Sequence, residues 1–376
     1  MKIALVLDDS IDRPDGVQQY VRSLESYFTR VGHEVHIFCS VSESTDPHVH
    51  SLARNAAVTF NGNSLKTPLP ASRAAIRALL EREMFDVIHV QTPHSPFFAG
   101  RVVEEARKLQ ARSVRIAATF LILPDSKLSA LATRGLGLLL RRNLRKFDAF
   151  ASLTEPAAVF ARESLGIKSV VIPAGVDIAA FQAAVRTPRP ERGPGDKLVV
   201  AFLGRLVERK GALELIEALA LLAPELRSGL DVRIGGRGPL LNDAQALVAK
   251  HGLGGVVTFA GFVTEADKPQ FFADADVAVF PATGGESFGI VLIEAMASGA
   301  GVVLAGANPG YLSVIGPQPE VSVDATDVQA FAAALARLIT DPSLRAELHA
   351  AQQEHVKQFD LTTVGESVMR DLYSAR

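Results

Sequence analysis

Two successive doubly wound α/β domains are the fold this sequence predicts, and three observations carry the prediction. Short apolar runs alternate with helix-length segments through the first half of the 376 residues. A stretch rich in proline and glycine, 186–196, then breaks the rhythm, and the same alternation restarts beyond it. Strands separated by helix-length segments imply βαβ units, hence a parallel sheet with helices on both faces.

In the first half, strands are expected at 2–7, 34–38, 57–60, 86–90, 115–119, 149–152 and 169–172. Helices are expected at 16–30, 72–83, 95–110, 128–146 and 156–165. The prolines and glycines of 186–196 sustain neither element, so this stretch reads as a linker. Strands resume at 198–203, 231–235, 256–259, 276–280 and 301–304. The domains are therefore expected at 1–185 and 197–354, with a last helix in 355–376. Ligands of such sheets bind beyond the carboxyl ends of the strands, which is where the motifs below fall.

Composition narrows the function classes. Lys+Arg (39) and Asp+Glu (41) nearly cancel, so nothing global points to nucleic acid. The single cysteine, Cys39, has no internal partner and ends an apolar run, so a buried structural thiol in a reducing cytoplasm is expected. The first apolar run meets Asp8 and Asp9 at once, too early for a signal peptide. The run 289–305 is interrupted by Glu294 and falls short of the roughly 20 residues a membrane helix needs. Gly-x-Gly-x-x-Gly is absent after 2–7, which disfavours a nicotinamide dehydrogenase.

The most informative stretch runs from Thr283 to Gly299. It follows an apolar strand, turns through Gly284 and Gly285, and opens a short helix. Glycines beside a helix N-terminus let a backbone approach an anion, and the free amides there favour negative charge. Glu286 and Glu294, on either side of that anion, can accept hydrogen bonds from hydroxyl groups. A phosphate flanked by hydroxyls on both sides describes a nucleotide diphosphate sugar. Upstream, Arg205 and Lys210 lie on the loop that follows 198–203, a pair suited to bracketing a diphosphate. The glycine turn 235–238 and the backbone around Phe262 end the next two strands.

These motifs resemble the E-x7-E and G-R-x4-K-G elements of retaining, GT-B-fold glycosyltransferases of family 4, and the resemblance covers nearly the whole chain. It is tightest to the phosphatidylinositol mannosyltransferase-like subgroup. It implies that Glu286 contacts the donor sugar and Glu294 the ribose. The amides of Phe288, Gly289 and Ile290 then face the diphosphate, Arg205 and Lys210 neutralise it, and Gly236 and Phe262 border the nucleotide. The catalytic set it implies is Glu286, Arg205 and Lys210. It also implies a last helix that crosses back to the first domain, two domains facing across a cleft, and no metal requirement. The family's double-glycine loop is here Asp15-Gly16, so only Gly16 carries over, while Asp15 is a candidate helix cap. Arg209 and Glu208 read as exposed neighbours.

One departure matters. Where the family has a histidine after the 115–119 strand, this chain has Leu121. Leucine cannot hydrogen-bond a hydroxyl. Reduced transfer, replacement by His94 in the neighbouring loop, or donor binding without transfer all remain open. Asp274 and Asp276 resemble a D-x-D pair but read as a structural junction, and His48 and His50 read as surface residues of a polar loop.

The subgroup uses GDP-mannose and meets a lipid acceptor at the membrane surface. Two helices here combine apolar and basic residues: 128–146 with Arg141, Arg142, Arg145 and Lys146, and 72–83 with Arg73, Arg77 and Arg82. Either could attract anionic lipid, and either could equally be a core helix with a solvated charged face. The expectation is a hexosyltransferase moving mannose from GDP-mannose to phosphatidylinositol or another hydroxyl acceptor, in the cytoplasm or on the inner face of the cell membrane. The alternatives are a nucleotide-sugar-binding protein and a sugar-nucleotide epimerase.

Overall fold

The computed structural model describes residues 1–13, 15–53, 55–60, 63–68, 71–91, 93, 98–109, 114–124, 133, 135, 140–189, 192–193, 195–316 and 318–374. They divide into two compact units, Met1–Gly175 with Leu361–Arg376, and Val176–Asp360.

The first unit is built on β1 (Lys2–Val6), whose residues after Lys2 are all buried. It pairs in parallel with β2 (Glu34–Cys39) on one side and β6 (Val87–Gln91) on the other. With β3 (Val49–Ser51), β7 (Arg115–Phe120), β8 (Ala149–Ser152) and β9 (Val170–Val171), the sheet order is β3-β2-β1-β6-β7-β8-β9. Parallel neighbours need crossovers. The helices Gly16–Arg30, Arg73–Glu83, Phe98–Lys108 and Glu155–Leu165 supply described ones. The apolar stripes of Arg73–Glu83 and Phe98–Lys108 meet the sheet in a core that includes Val6, Phe38, Ile76, Val90 and Val102.

Two readings of the first unit change. The 57–60 run is not a strand of the parallel sheet. It lies in β4 (Asn55–Phe60), which forms a separate antiparallel pair with β5 (Asn63–Pro68). His50, read as part of a polar loop, instead lies in β3, which extends the parallel sheet at its edge. Cys39 is buried at the end of β2, and burial pushes its thiol up to about 11.

The second unit repeats the plan: β10 (Leu198–Leu203), β11 (Leu230–Gly235), β12 (Val257–Gly261), β13 (Val277–Phe280), β14 (Val302–Gly306) and β15 (Ser322–Val323), in the order β12-β11-β10-β13-β14-β15. Segment 186–196 belongs to this unit. Its Arg186 pairs with Asp267, Arg192 with Asp276, and the amides of Arg186 and Thr187 donate to Gln270 Oε1. Asp276 also accepts from the Val199 amide, and Asp274 from Arg233, so both acids of the D-x-D pair are fixed by neighbours.

The last segment is not one helix. A 3₁₀ turn, Val356–Phe359, is followed by Asp360 in extended conformation (φ −56°, ψ 134°), where Val176 bridges to it. Helix Leu361–Ser367 and a π-helical stretch, Val368–Tyr373, then complete the first unit. Tyr373 Oη lies 2.9 Å from Nδ1 of the buried His89, whose Nε2 is 2.7 Å from Thr119 Oγ1. No described helix is long and apolar enough to cross a membrane.

Candidate functional site

In the second sheet the strand order reverses at β10, with β11 on one side and β13 on the other. A crevice at such a reversal, outside the carboxyl ends of the strands, is where open α/β sheets bind ligands. The loops that leave β10 and β13 carry the two charged motifs, and the fold brings them together. The Thr283 amide donates to Arg209 O at 3.0 Å. Lys210 Nζ lies 2.8 Å from Glu286 Oε1, and Arg209 donates to the same carboxylate oxygen.

Arg209 is therefore not an exposed neighbour but a direct partner of Glu286. The sequence placed it beside Lys210, yet nothing in the sequence gives its distance to a residue 77 positions away. Burial pulls the Lys210 ammonium below its ordinary value, with Glu286 opposing that shift. Arg205 is exposed at the mouth of its loop.

Glycines in this region serve the backbone first. A Cβ at Gly236 (φ +128°) would lie 1.8 Å from Gly204 O, and one at Gly310 would lie 1.9 Å from Glu286 O. The turn 235–238 is thus glycine because the loop after β10 crosses it; Leu206 N donates to Arg237 O at 2.9 Å. Phe262 is exposed, and the Arg237 guanidinium sits 5.6 Å from its ring centroid.

Helix Ile290–Ala297 starts at Gly289, whose φ of +107° favours glycine. The first turn of any helix leaves its amides without intrahelical acceptors, and this turn begins at Ile290, just after Gly289. The Phe288 ring is buried, with its centroid 5.7 Å from that of Phe359, so the side chain is turned into the core. Glu294 lies inside that helix, 5% exposed, with Lys268 Nζ 2.9 Å from Oε1. Burial raises the Glu294 carboxyl, with Lys268 opposing. Burial acts to lower the Lys268 ammonium, but Glu294 and Glu265 outweigh it and the net shift is upward. Lys268, 4% exposed, had no signal in the sequence beyond its charge.

In the first unit, Gly16 opens the helix Gly16–Arg30, and a Cβ there would meet nothing within 4 Å. Asp15 precedes it in extended conformation, but its side chain makes no capping hydrogen bond, contrary to expectation. Leu121 is buried just after β7. His94 lies outside the described residues, as does much of 128–146. Within its described end, Leu140 and Leu144 pack into a core cluster with Phe120 and Phe160, while Arg141, Arg142 and Arg145 are exposed. Arg73 and Arg77 are engaged by Glu105, and Arg73 also by Glu104, so the second candidate helix does not offer those cations freely.

A sequence model described as glycosyl transferases group 1 matches residues 186–355, and one described as Glycosyltransferase Family 4 matches 14–180. A phosphatidyl-myo-inositol mannosyltransferase of Mycolicibacterium smegmatis is 32% identical over 379 residues, covering 98% of this chain and 93% of that one. The chain belongs to glycosyltransferase family 4. Another relative of this family 4 enzyme, a GDP-mannose-dependent alpha-(1-6)-phosphatidylinositol monomannoside mannosyltransferase of the same organism, is 27% identical and covers 92% of this chain and 91% of its own. Among solved structures, a sucrose-phosphate synthase from Thermosynechococcus elongatus superposes with a TM-score of 0.74 at 21% identity, covering 98% and 97% of the two chains. A glycosyltransferase from Rickettsia africae gives 0.75 at 17% identity, covering 98% and 96%. The fold of this glycosyltransferase is GT-B, with two Rossmann-like parallel-sheet units.

Proposed function

We propose that this glycosyltransferase moves mannose from GDP-mannose to a hydroxyl of a phosphatidylinositol-type lipid, with retention of configuration and without a metal ion. One observation supports the reading above the rest. Two loops far apart in sequence set Arg209 and Lys210 on Glu286 at the strand-order reversal, beside a helix that begins at Gly289. The names of the relatives supply the mannose and the lipid.

In this reading the diphosphate draws Lys210 and Arg205 to itself, helped by the amides of Phe288, Gly289 and Ile290. Glu286, relieved of its cations, accepts from the hexose hydroxyls. Glu294 keeps Lys268 on one oxygen and offers the other to the ribose, while Gly236 and Phe262 border the base. Preorganised charge of this kind acts where negative charge builds as the glycosidic bond breaks. The exposed Arg141, Arg142 and Arg145 attract anionic lipid at the membrane surface.

A second reading rests on Leu121, a buried apolar residue where the family has histidine: a donor-binding protein with little transfer. Labelled GDP-mannose offered with phosphatidylinositol vesicles separates the two. Labelled lipid supports the first; donor binding with no labelled lipid, unchanged by Leu121→His, supports the second. Melting-point shifts across GDP-, UDP- and ADP-sugars test the donor, since a ligand that binds only the folded state raises the midpoint. A larger shift with UDP- or ADP-sugars would overturn GDP-mannose.

A further inference from the structure

Away from the donor site, the edge of the first sheet gathers four residues with metal-ligand chemistry. Side chains alternate along a strand, so Glu34 and His36 of β2 share one face. The parallel β3 places His50 opposite Phe38, and Ile37 N donates to His48 O at 2.8 Å, which brings His48 alongside His36. A carboxylate oxygen of Glu34 and one ring nitrogen each of His36 and His48 lie within 4.8 Å of one another.

We infer that Glu34, His36 and His48 form a binding site for a divalent transition ion of the zinc type, which clasps edge strand β3 to β2. The inference stands apart from the donor reading. Two imidazoles and one carboxylate are a donor set that zinc accepts, with a fourth position left for water.

Bonds of about 2.0–2.1 Å to zinc set ligand-to-ligand distances of about 3.4 Å in a tetrahedron. Closing from 4.8 Å needs only side-chain movement, and the side chains of Glu34 and His48 are each 48% exposed. His36, buried, is the fixed point. It stacks on His50 with ring centroids 5.2 Å apart and meets the edge of Phe85 at 5.1 Å.

The outer partners that orient metal-bound histidines are already in place. A ligating imidazole usually gives its second N–H to a nearby acceptor. His36 Nδ1 lies 2.8 Å from His50 Nε2, and His48 Nδ1 lies 3.3 Å from Asp46 Oδ1. His36 Nε2 faces Glu34 Oε1 at 2.9 Å.

One cation opposes the ion. Lys2 Nζ is 2.8 Å from Glu34 Oε1, but it is also 2.7 Å from Glu83. A dication that takes Glu34 leaves Lys2 its second carboxylate.

The test uses the full chain, stripped with chelator and dialysed against zinc. About one zinc per chain is expected, with a raised melting midpoint. Both effects should vanish in Glu34→Gln and in His48→Ala, whose half-exposed side chains can be changed without opening the core. Cobalt(II) in place of zinc should show the visible absorption of a four-coordinate site. Failure of the wild-type chain to retain zinc overturns the site, as does unchanged retention in either variant or a cobalt spectrum without that absorption.

Discussion

At the reversal point of the second unit, β10 and β13 end in loops whose charged side chains neutralise one another: Arg209 and Lys210 on Glu286, with Lys268 on Glu294 a short way along the chain. At the corresponding place in the first unit, the loop after β1 carries Asp8, and no cation pairs with it among the described residues. Asp8 Oδ1 accepts from the Ala99 amide at 2.7 Å, while Oδ2 is buried with no partner among the described residues. Burial, with Asp9 nearby, raises its pKa to about 7. The two units thus use one topology to hold different things. One gathers paired charges suited to an anionic ligand, and the other keeps a carboxyl close to neutrality.

The largest effect that would sharpen this contrast is on Glu294. Replacing it with Ala leaves the buried Lys268 ammonium only the exposed Glu265 as partner, and removing one member of a buried pair costs about 3–5 kcal/mol. Denaturant unfolding should show that loss, and Lys268→Met with Glu294→Leu should recover much of it. If the single variant loses nothing, the second unit does not depend on its charge pairing. Next, Lys210→Ala should lower donor turnover by about 10²–10³-fold, the scale of losing one preorganised charge at a reacting centre. Loss below tenfold would move the diphosphate away from the loop after β10.

In the first unit the test is a pH response. Asp8, raised to about 7, keeps a proton in the folded state that the unfolded chain releases near its ordinary value of 3.8. Its contribution to stability is therefore full at low pH and is lost as pH rises from about 4 to 7, by up to about 4 kcal/mol. Asp8→Asn should flatten that slope in melting curves; an unchanged slope would deny the carboxyl its neutral state. His89, held down to about 3 by burial, acts oppositely, with stability lost as pH falls below about 6.5. The smallest effect is expected from Tyr373→Phe, which removes one buried hydrogen bond to His89 and should cost about 1–2 kcal/mol. A variant as stable as the wild type would mean the C-terminal segment is held by packing alone.

Much of the second unit was legible because its signals are local. The apolar runs at 198–203 and 276–280 each announce a strand by themselves, and the glycine turn before Glu286 directly follows the second of them. What was hidden depended on distance across the chain. Arg209 reads as a surface cation until the loop after β13 folds against it, and Lys268 carries no mark of its burial. In the first unit, β3 is three residues long and carries two polar flanks, so it lacks the apolar run that reveals a strand. The β4–β5 pair did carry a signal in Asn61-Gly62, a dipeptide suited to hairpin turns, which the parallel alternation overshadowed. The break at Asp360 depends on its bridge to Val176, a contact no local pattern contains.

Because the first compact unit takes its final residues from 361–376, the whole of Val176–Asp360 is an insertion within it. A ribosome releasing this chain finishes the second unit's sequence before it has made Tyr373. Until then His89 Nδ1 lacks the phenol that it meets in the finished unit. A fragment stopped at Gly175 should accordingly behave as an unfinished nucleus, and the first part translated should be the last to reach its full resistance to proteases.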